Sequence, residues 1–238
     1  MKKIVCDNYE EACRTAANQY TMQLVLKPDS VLGLATGSTP IGLYKELVHR
    51  SQTGKIDFSH ARTFNLDEYY PIKASHPQSY KSFMDEHLFN EVKFASNQIL
   101  NGEATDPQAE CARYDAEIEA AGGIDLQLLG IGVNGHIAFI EPASSYPLGS
   151  YLVDLAEDTL VANSRFFSEG EAQPTQALSV GLGPIFNAKH IMMLVCGENK
   201  AEVIKKLYDG NLYTDLPACF LHLHPNVTLI LDRAANGE

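Results

Sequence analysis

The 238-residue chain is 45% apolar and 20% charged, an ordinary globular composition with enough apolar sequence for a sizeable core. With 30 acidic against 18 basic residues its formal net charge is −12, and it has no basic run; nucleic acid is therefore not expected as a main partner, since phosphate-backbone binding needs clustered Lys and Arg. No apolar run approaches the ~20 residues of a membrane span, and the opening MKKIVCDNYEEA turns acidic before a signal peptide's apolar region could form.

Five cysteines (Cys6, Cys13, Cys111, Cys196 and Cys219) are odd in number and form no C-x-x-C pair. That pattern fits buried thiols in a reducing compartment, so a cytoplasmic protein without a membrane partner is expected.

In chain order, Tyr9–Leu26 carries apolar positions at helical spacing and stops at Lys27-Pro28. Val31–Ala35 is a short apolar run and reads as a buried strand. It breaks at Thr36-Gly37-Ser38-Thr39-Pro40, after which Ile41–Val48 resumes a helical period, with Pro40 suited to the first turn. Ala61–Leu66 reads as a second strand ending at Asp67-Glu68. Tyr80–Phe89 is read as helical, Ile99-Leu100 as a short strand, and Gln108–Ala121 as a helix closed by Gly122-Gly123.

Ile124–Leu129 is the next strand, followed by the Gly-rich GIGVNGHIAFIEP, residues 130–142. Tyr151–Leu155 reads as a strand, Glu157–Asn163 as a short helix, and Pro174–Phe186 has helical spacing despite Gly181 and Gly183. Lys189–Cys196 is a strongly apolar strand, Glu198–Tyr208 a helix and Val227–Leu231 a last strand. Short apolar strands alternating with helices predict an α/β fold: a single doubly wound, mainly parallel sheet with helices on both faces. Residues 1–238 read as one domain, with ligands expected at the carboxyl ends of the strands.

Those strand ends carry the candidate chemistry. Thr36, Gly37, Ser38 and Thr39 form a turn feeding a helix N-terminus, which suits one phosphate or a plain N-cap. Asp67 ends the second strand, where a buried carboxylate could serve as a proton-transfer base, while Glu68 reads as its structural neighbour. GIGVNG fits the dinucleotide pattern G-x-G-x-x-G, with Asp154 near the distance of a ribose-binding acid. That pattern requires a helix opening at the third glycine. Here Pro142 arrives seven residues after Gly135, and HIAFIE shows neither cap nor period. The glycines instead let the backbone turn sharply beside a ligand. His136 and Glu141 then form a proton-handling pair, with Asn134 as an orienting amide. Arg165 and Lys200 are candidate phosphate partners in an acidic chain. His222-Leu223-His224 has H-x-H spacing but no third ligand in pattern, so no metal is expected.

LGLATGSTP, TFNLDEYY, LGIGVNGHIAFIEP, ANSRFF and LHLHPNVTLILD stand in the order and at intervals similar to those of glucosamine-6-phosphate deaminases. The resemblance covers nearly the whole chain. It implies conversion of glucosamine 6-phosphate to fructose 6-phosphate and ammonia on a Rossmann-like fold, with no metal or organic cofactor. It places Asp67 on the acid that moves a proton between C2 and C1. His136 falls on the group that opens the pyranose ring, assisted by Glu141 and Asn134. Thr36–Thr39, Arg165 and Lys200 fall on the sugar-phosphate clamp.

Three departures stand out. Asn134 replaces the Asp of larger members, Ile140 replaces an Asn usual before Glu-Pro, and Leu148-Gly149-Ser150 replaces a common Ser-Arg-Thr. Tyr151 holds a basic effector position, and the chain ends soon after its last strand; a monomer or small homo-oligomer without allosteric activation is expected. A galactosamine-6-phosphate deaminase, a 6-phosphogluconolactonase and a non-catalytic sugar-phosphate sensor remain the alternatives.

Overall fold

The computed structural model describes residues 1–156, 160, 167 and 173–238. Ten strands are present among the described residues: β1 Lys2–Cys6, β2 Val31–Leu34, β3 Arg62–Asn65, β4 Asp67–Tyr70, β5 Ser96–Gln98, β6 Leu126–Leu129, β7 Tyr151–Asp154, β8 Gln176–Ser179, β9 Ile191–Val195 and β10 Val227–Asp232. The helices are α1 Tyr9–Leu26, α2 Pro40–Gln52, α3 Tyr80–Met84, α4 Pro107–Ala120, α5 Leu182–Phe186 and α6 Ala201–Leu207.

Seven strands form one parallel sheet in the order β1-β10-β9-β6-β2-β3-β5. Strands β2, β6, β9 and β10 are buried along their whole length, as expected of a sheet covered on both faces. Edge strand β1 is largely exposed; its short apolar stretch after two lysines is why the sequence does not announce it. Helix α1 starts where the Asn8 side chain accepts the Glu11 N–H, and stops before Pro28. Helix α4 has the Asp106 cap with Pro107 behind it and ends at Gly122 and Gly123, both at positive φ.

The chain leaves β2 outward through β3 and β5, then returns to β6 on the other side of β2. The connections after β2 and β6 therefore diverge over a crevice at the carboxyl ends, the switch point where such sheets bind ligands.

Above that edge lies a second sheet, three antiparallel strands in the order β4-β8-β7, which the sequence reading does not anticipate. Strand β4 follows β3 after the single residue Leu66. Residues 176–179, read as part of a helix, are the central strand of this sheet; only Leu182–Phe186 is helical, after Gly181 interrupts the segment. Of the segment Glu157–Asn163, read as a helix, only Leu160 is among the described residues. A second apolar cluster joins Tyr69, Ile72, Phe139, Leu155 and Ala177, so the small sheet packs on residue 139 of the Gly-rich connection.

The amino ends of the central strands of the large sheet are tied by charge. Asp125, just before β6, accepts Lys27 Nζ and Lys189 Nζ at 2.6 Å each and the Val31 N–H at 2.8 Å. Three segments are thereby fastened at their amino ends by one carboxylate.

Candidate active site

Four adjacent strands, β9, β6, β2 and β3, end in the motifs singled out in the sequence. Lys200 follows β9, GIGVNGHIAFIEP follows β6, Thr36–Thr39 follows β2, and Asp67 follows β3. Residues 164 positions apart in the chain are brought to one edge of the sheet. Arg165 lies outside the described residues.

After β2, Gly37 takes φ +107°, a conformation that favours glycine, and Pro40 opens α2 at its first turn. No side-chain hydrogen bond caps this helix, so the hydroxyls of Ser38 and Thr39 are not spent on capping among the described residues. The loop is held from below by Tyr9, whose hydroxyl donates to the Thr39 carbonyl at 2.9 Å and accepts the Gly42 N–H at 2.8 Å. A turn whose hydroxyls cap no helix among the described residues, at the positive end of a 13-residue helix, can accept a phosphate.

No helix opens in residues 130–142, so the geometry of a dinucleotide fingerprint is absent. The Gly135 N–H donates to the Gly132 carbonyl at 3.0 Å, and the Gly132 N–H to the His136 carbonyl at 2.9 Å, closing a tight turn. Two glycines are required. A Cβ on Gly132 would stand 2.3 Å from the His136 ring, and Gly135 sits at φ +88° where a Cβ would strike Leu216 at 2.1 Å. The imidazole therefore lies directly over the Gly132 backbone.

His136 Nδ1 is 3.1 Å from Glu141 Oε1, at ion-pair distance though outside hydrogen-bonding angles. Asn134 ties the group together: its amide donates to Glu141 Oε2 at 2.7 Å, and its oxygen accepts the His136 backbone N–H at 3.2 Å. Both contacts are of the kind an orienting amide makes. Ile140 is different. Its side chain is fully buried in the main core, so it shapes the turn from beneath and adds nothing polar or apolar to the crevice.

Asp67 is 7% exposed and carries no hydrogen bond on its carboxyl among the described residues. Burial, and then the adjoining Glu68 carboxylate, push its pKa up to about 8. Glu68 is also buried, and its pKa is pushed up to about 7 by burial, but three backbone N–H groups oppose the shift: Tyr69 at 2.9 Å, Tyr80 at 2.8 Å and Lys81 at 3.0 Å. Two of these open α3, so Glu68 fastens a helix start. Of the pair, Asp67 is the later to lose its proton, because its charge has no such support.

Lys200 donates to the Ile131 carbonyl at 2.8 Å, which draws its ammonium across β6 toward the Gly-rich turn. Partial burial lowers its pKa from the ordinary lysine value. The H-x-H pair has separate duties: His222 Nε2 bonds the Leu207 carbonyl at 2.8 Å and His224 Nε2 the Ala188 carbonyl at 2.8 Å. Among the described residues no group of three His, Cys, Asp or Glu side chains is arranged to hold a metal ion.

The sequence reading missed three neighbours of the site. Tyr151 reads only as a departure from a pattern, yet its hydroxyl reaches the Phe139 carbonyl at 3.0 Å. Ser179 was hidden inside an apparent helical period. Asn65, 2% exposed and two residues before Asp67, has neither amide atom hydrogen-bonded among the described residues, and nothing in FNLDEYY signals that. Leu148-Gly149-Ser150 is explained by α4: the Ser150 N–H and hydroxyl bond Asp115 at 2.8 and 2.5 Å, and a Cβ on Gly149 would stand 2.8 Å from the same carboxylate.

The doubly wound α/β sheet thus carries a buried carboxyl and a His–Glu pair at the strand ends where sheets of this kind bind ligands. The sequence profile of the glucosamine-6-phosphate isomerase/6-phosphogluconolactonase family matches residues 7–230, and the chain belongs to that family. It is 50% identical to a glucosamine-6-phosphate deaminase of Clostridium botulinum, over 100% of this chain and 98% of the relative. It is also 50% identical to a deaminase of the same name from Thermoanaerobacter pseudethanolicus, over 99% of this chain and 94% of the other. Among solved structures, a monomeric glucosamine-6-phosphate deaminase superposes with a TM-score of 0.96 at 41% identity, covering 100% of this chain and 99% of that one. A 6-phosphogluconolactonase from Leishmania guyanensis shares the fold, with a TM-score of 0.74 at 20% identity over 99% and 97% of the two chains.

Proposed function

We propose that the protein converts glucosamine 6-phosphate and water to fructose 6-phosphate and ammonia. The observation that carries this reading is that the Asn134–His136–Glu141 set and the buried Asp67 lie at the same end of neighbouring strands, with the Tyr151 phenol feeling both carboxylates. Relatives of that activity at 50% identity over the whole chain support it.

Ring opening requires a proton removed from the anomeric hydroxyl and one delivered to the ring oxygen. An imidazole backed by a carboxylate does both, and Asn134 holds that carboxylate in place. The open aldose then needs a base for the hydrogen on C2. Asp67 takes it and returns it to C1, leaving an imine at C2 that water hydrolyses with release of ammonia. A base whose pKa lies near 8 matches a carbon acid better than an ordinary carboxylate does. Thr36, Gly37, Ser38, Thr39, Lys200 and Arg165 are the proposed phosphate clamp; the loop's hydroxyls and the Lys200 ammonium at the same sheet edge support the described part of it. The Asn65 amide, buried and without a hydrogen-bond partner among the described residues, is the group proposed to take up a sugar hydroxyl or a water.

Residues 1–238 act as one catalytic domain in this reading. A monomer working in the cytoplasm is favoured, on the precedent of the monomeric relative; among the described residues no helix is long and apolar enough to cross a membrane. The test is incubation with glucosamine 6-phosphate, with both products quantified. Stoichiometric ammonia and fructose 6-phosphate are expected. Absence of ammonia at saturating substrate overturns the assignment, and faster turnover of the galactosamine epimer or of 6-phosphogluconolactone redirects it.

A further inference from the structure

Asp67 and the His136–Glu141 turn hang from different elements, one from β4 of the small sheet and the other from β6 of the large one. Proton transfers at neighbouring atoms of one substrate require these two units to keep a fixed separation, and displacements near 1 Å cost on the order of a hundredfold in rate. Phe139, midway along the turn, is where the two sheets are joined.

Every part of Phe139 is held. Its N–H donates to Ser179 Oγ at 3.3 Å, and its carbonyl accepts the Tyr151 hydroxyl at 3.0 Å. Its buried ring lies 6.2 Å from Tyr80, nearly parallel, and 6.2 Å from Tyr69. The residue before it, Ala138, adopts φ +51°, a left-handed conformation unfavourable for alanine, so the turn needs outside support. Ser179 pairs with Asp67 on one side and with Tyr151 on the other, forming a single rung across the small sheet. The Tyr151 phenol also feels both sites: burial, then the Glu141 and Asp67 carboxylates, push its pKa up to about 12.

We propose that Tyr151 and Ser179 are positioning residues, which hold the His136–Glu141 turn in register with Asp67 through the two backbone groups of Phe139. Their rung is one hydrogen-bonded route between the two units. The proposal rests on the deaminase reading for its kinetic form but not for its structural one.

Tyr151→Phe removes one donor and keeps the ring; Ser179→Ala removes one acceptor. For Tyr151→Phe the expected result is a kcat lowered about tenfold, the size of one lost hydrogen bond, with KM within about twofold and little change in melting temperature. In a Glu141→Gln background the same substitution adds less than about twofold, because both act through one turn. An unchanged kcat, or losses that multiply in the double variant, overturns the proposal, as does a loss accounted for by unfolding. A second measurement needs no turnover. Tyr151→Phe displaces the His136 ring signals in NMR spectra recorded at one fixed pH, as the 3.1 Å approach to Glu141 relaxes. Ring signals that stay where they are in the wild type refute the positioning role, whereas absent wild-type ammonia release refutes only the deaminase reading. If Ser179→Ala fails to fold, Tyr151→Phe decides alone.

Discussion

At opposite ends of the strands of one parallel sheet, two aspartates are buried to a similar degree and are treated in opposite ways. Asp125, 2% exposed, sits among Lys27, Lys189 and the Val31 N–H. Burial raises its pKa, but those bonds outweigh it and hold the carboxyl below its ordinary value. Asp67, 7% exposed, has no hydrogen bond on its carboxyl among the described residues and a carboxylate next door, so its pKa rises to about 8. A buried carboxyl given partners is a fastener; one denied them is held ready to carry a proton.

The comparison breaks most visibly at Asp67. Asp67→Asn is expected to lower turnover by about 10³-fold or more, since an amide cannot accept the C2 proton, and yet to stabilise the fold. The folded pKa of Asp67 lies above the unfolded value, so its burial costs nothing below about pH 4, where both states are protonated. The penalty grows as pH rises and is complete above about 8. Thermal melts should show the variant's advantage at pH 8–9 and its disappearance near pH 4; an advantage independent of pH would contradict the assignment.

Asp125→Asn is the mirror experiment. Urea unfolding is expected to show a loss of roughly 1–3 kcal/mol, below the usual figure for a broken buried pair because Lys27 and Lys189 are 36% and 61% exposed and can regain water. Catalysis by the remaining folded protein should stay within about twofold. Asp125 stabilises above its unfolded pKa, and that contribution disappears as pH falls through its lower folded value, the reverse of Asp67.

A smaller effect sharpens the contrast from the ligand side. Lys200→Met should raise KM for the phosphorylated sugar about tenfold with little change in kcat, because it removes ground-state and transition-state binding alike. Turnover of unphosphorylated glucosamine should be indifferent to it. Equal losses on both substrates would place Lys200 in the chemistry instead of the clamp.

How much of this was legible follows the range over which each signal acts. The parallel sheet was readable because buried strands such as Ile191–Val195 are continuous apolar runs, and the Gly132/Gly135 turn because Pro142 forbids a helix beyond it. The small sheet was not readable. Gln176–Ser179 is four residues long, half polar, and soon cut off by Gly181, so pairing with β4 and β7 decides its conformation. For the same reason Ser179 and Tyr151 carried no local mark of their contact with Phe139. Asp67 was picked out by its place after a strand, whereas its raised pKa needed the fold: the sequence contains Asp125 too, and only partners brought from residues 27 and 189 set the two apart.

The most direct test is hydrogen exchange at C2 of glucosamine 6-phosphate in D₂O. Wild-type protein is expected to transfer hydrogen between C2 and C1 with partial exchange against solvent, visible as deuterium in the product and in recovered substrate. Asp67→Asn should bind the sugar phosphate with nearly unchanged affinity and leave the C2 hydrogen in place. Near-native exchange in that variant would mean that Asp67 is not the base.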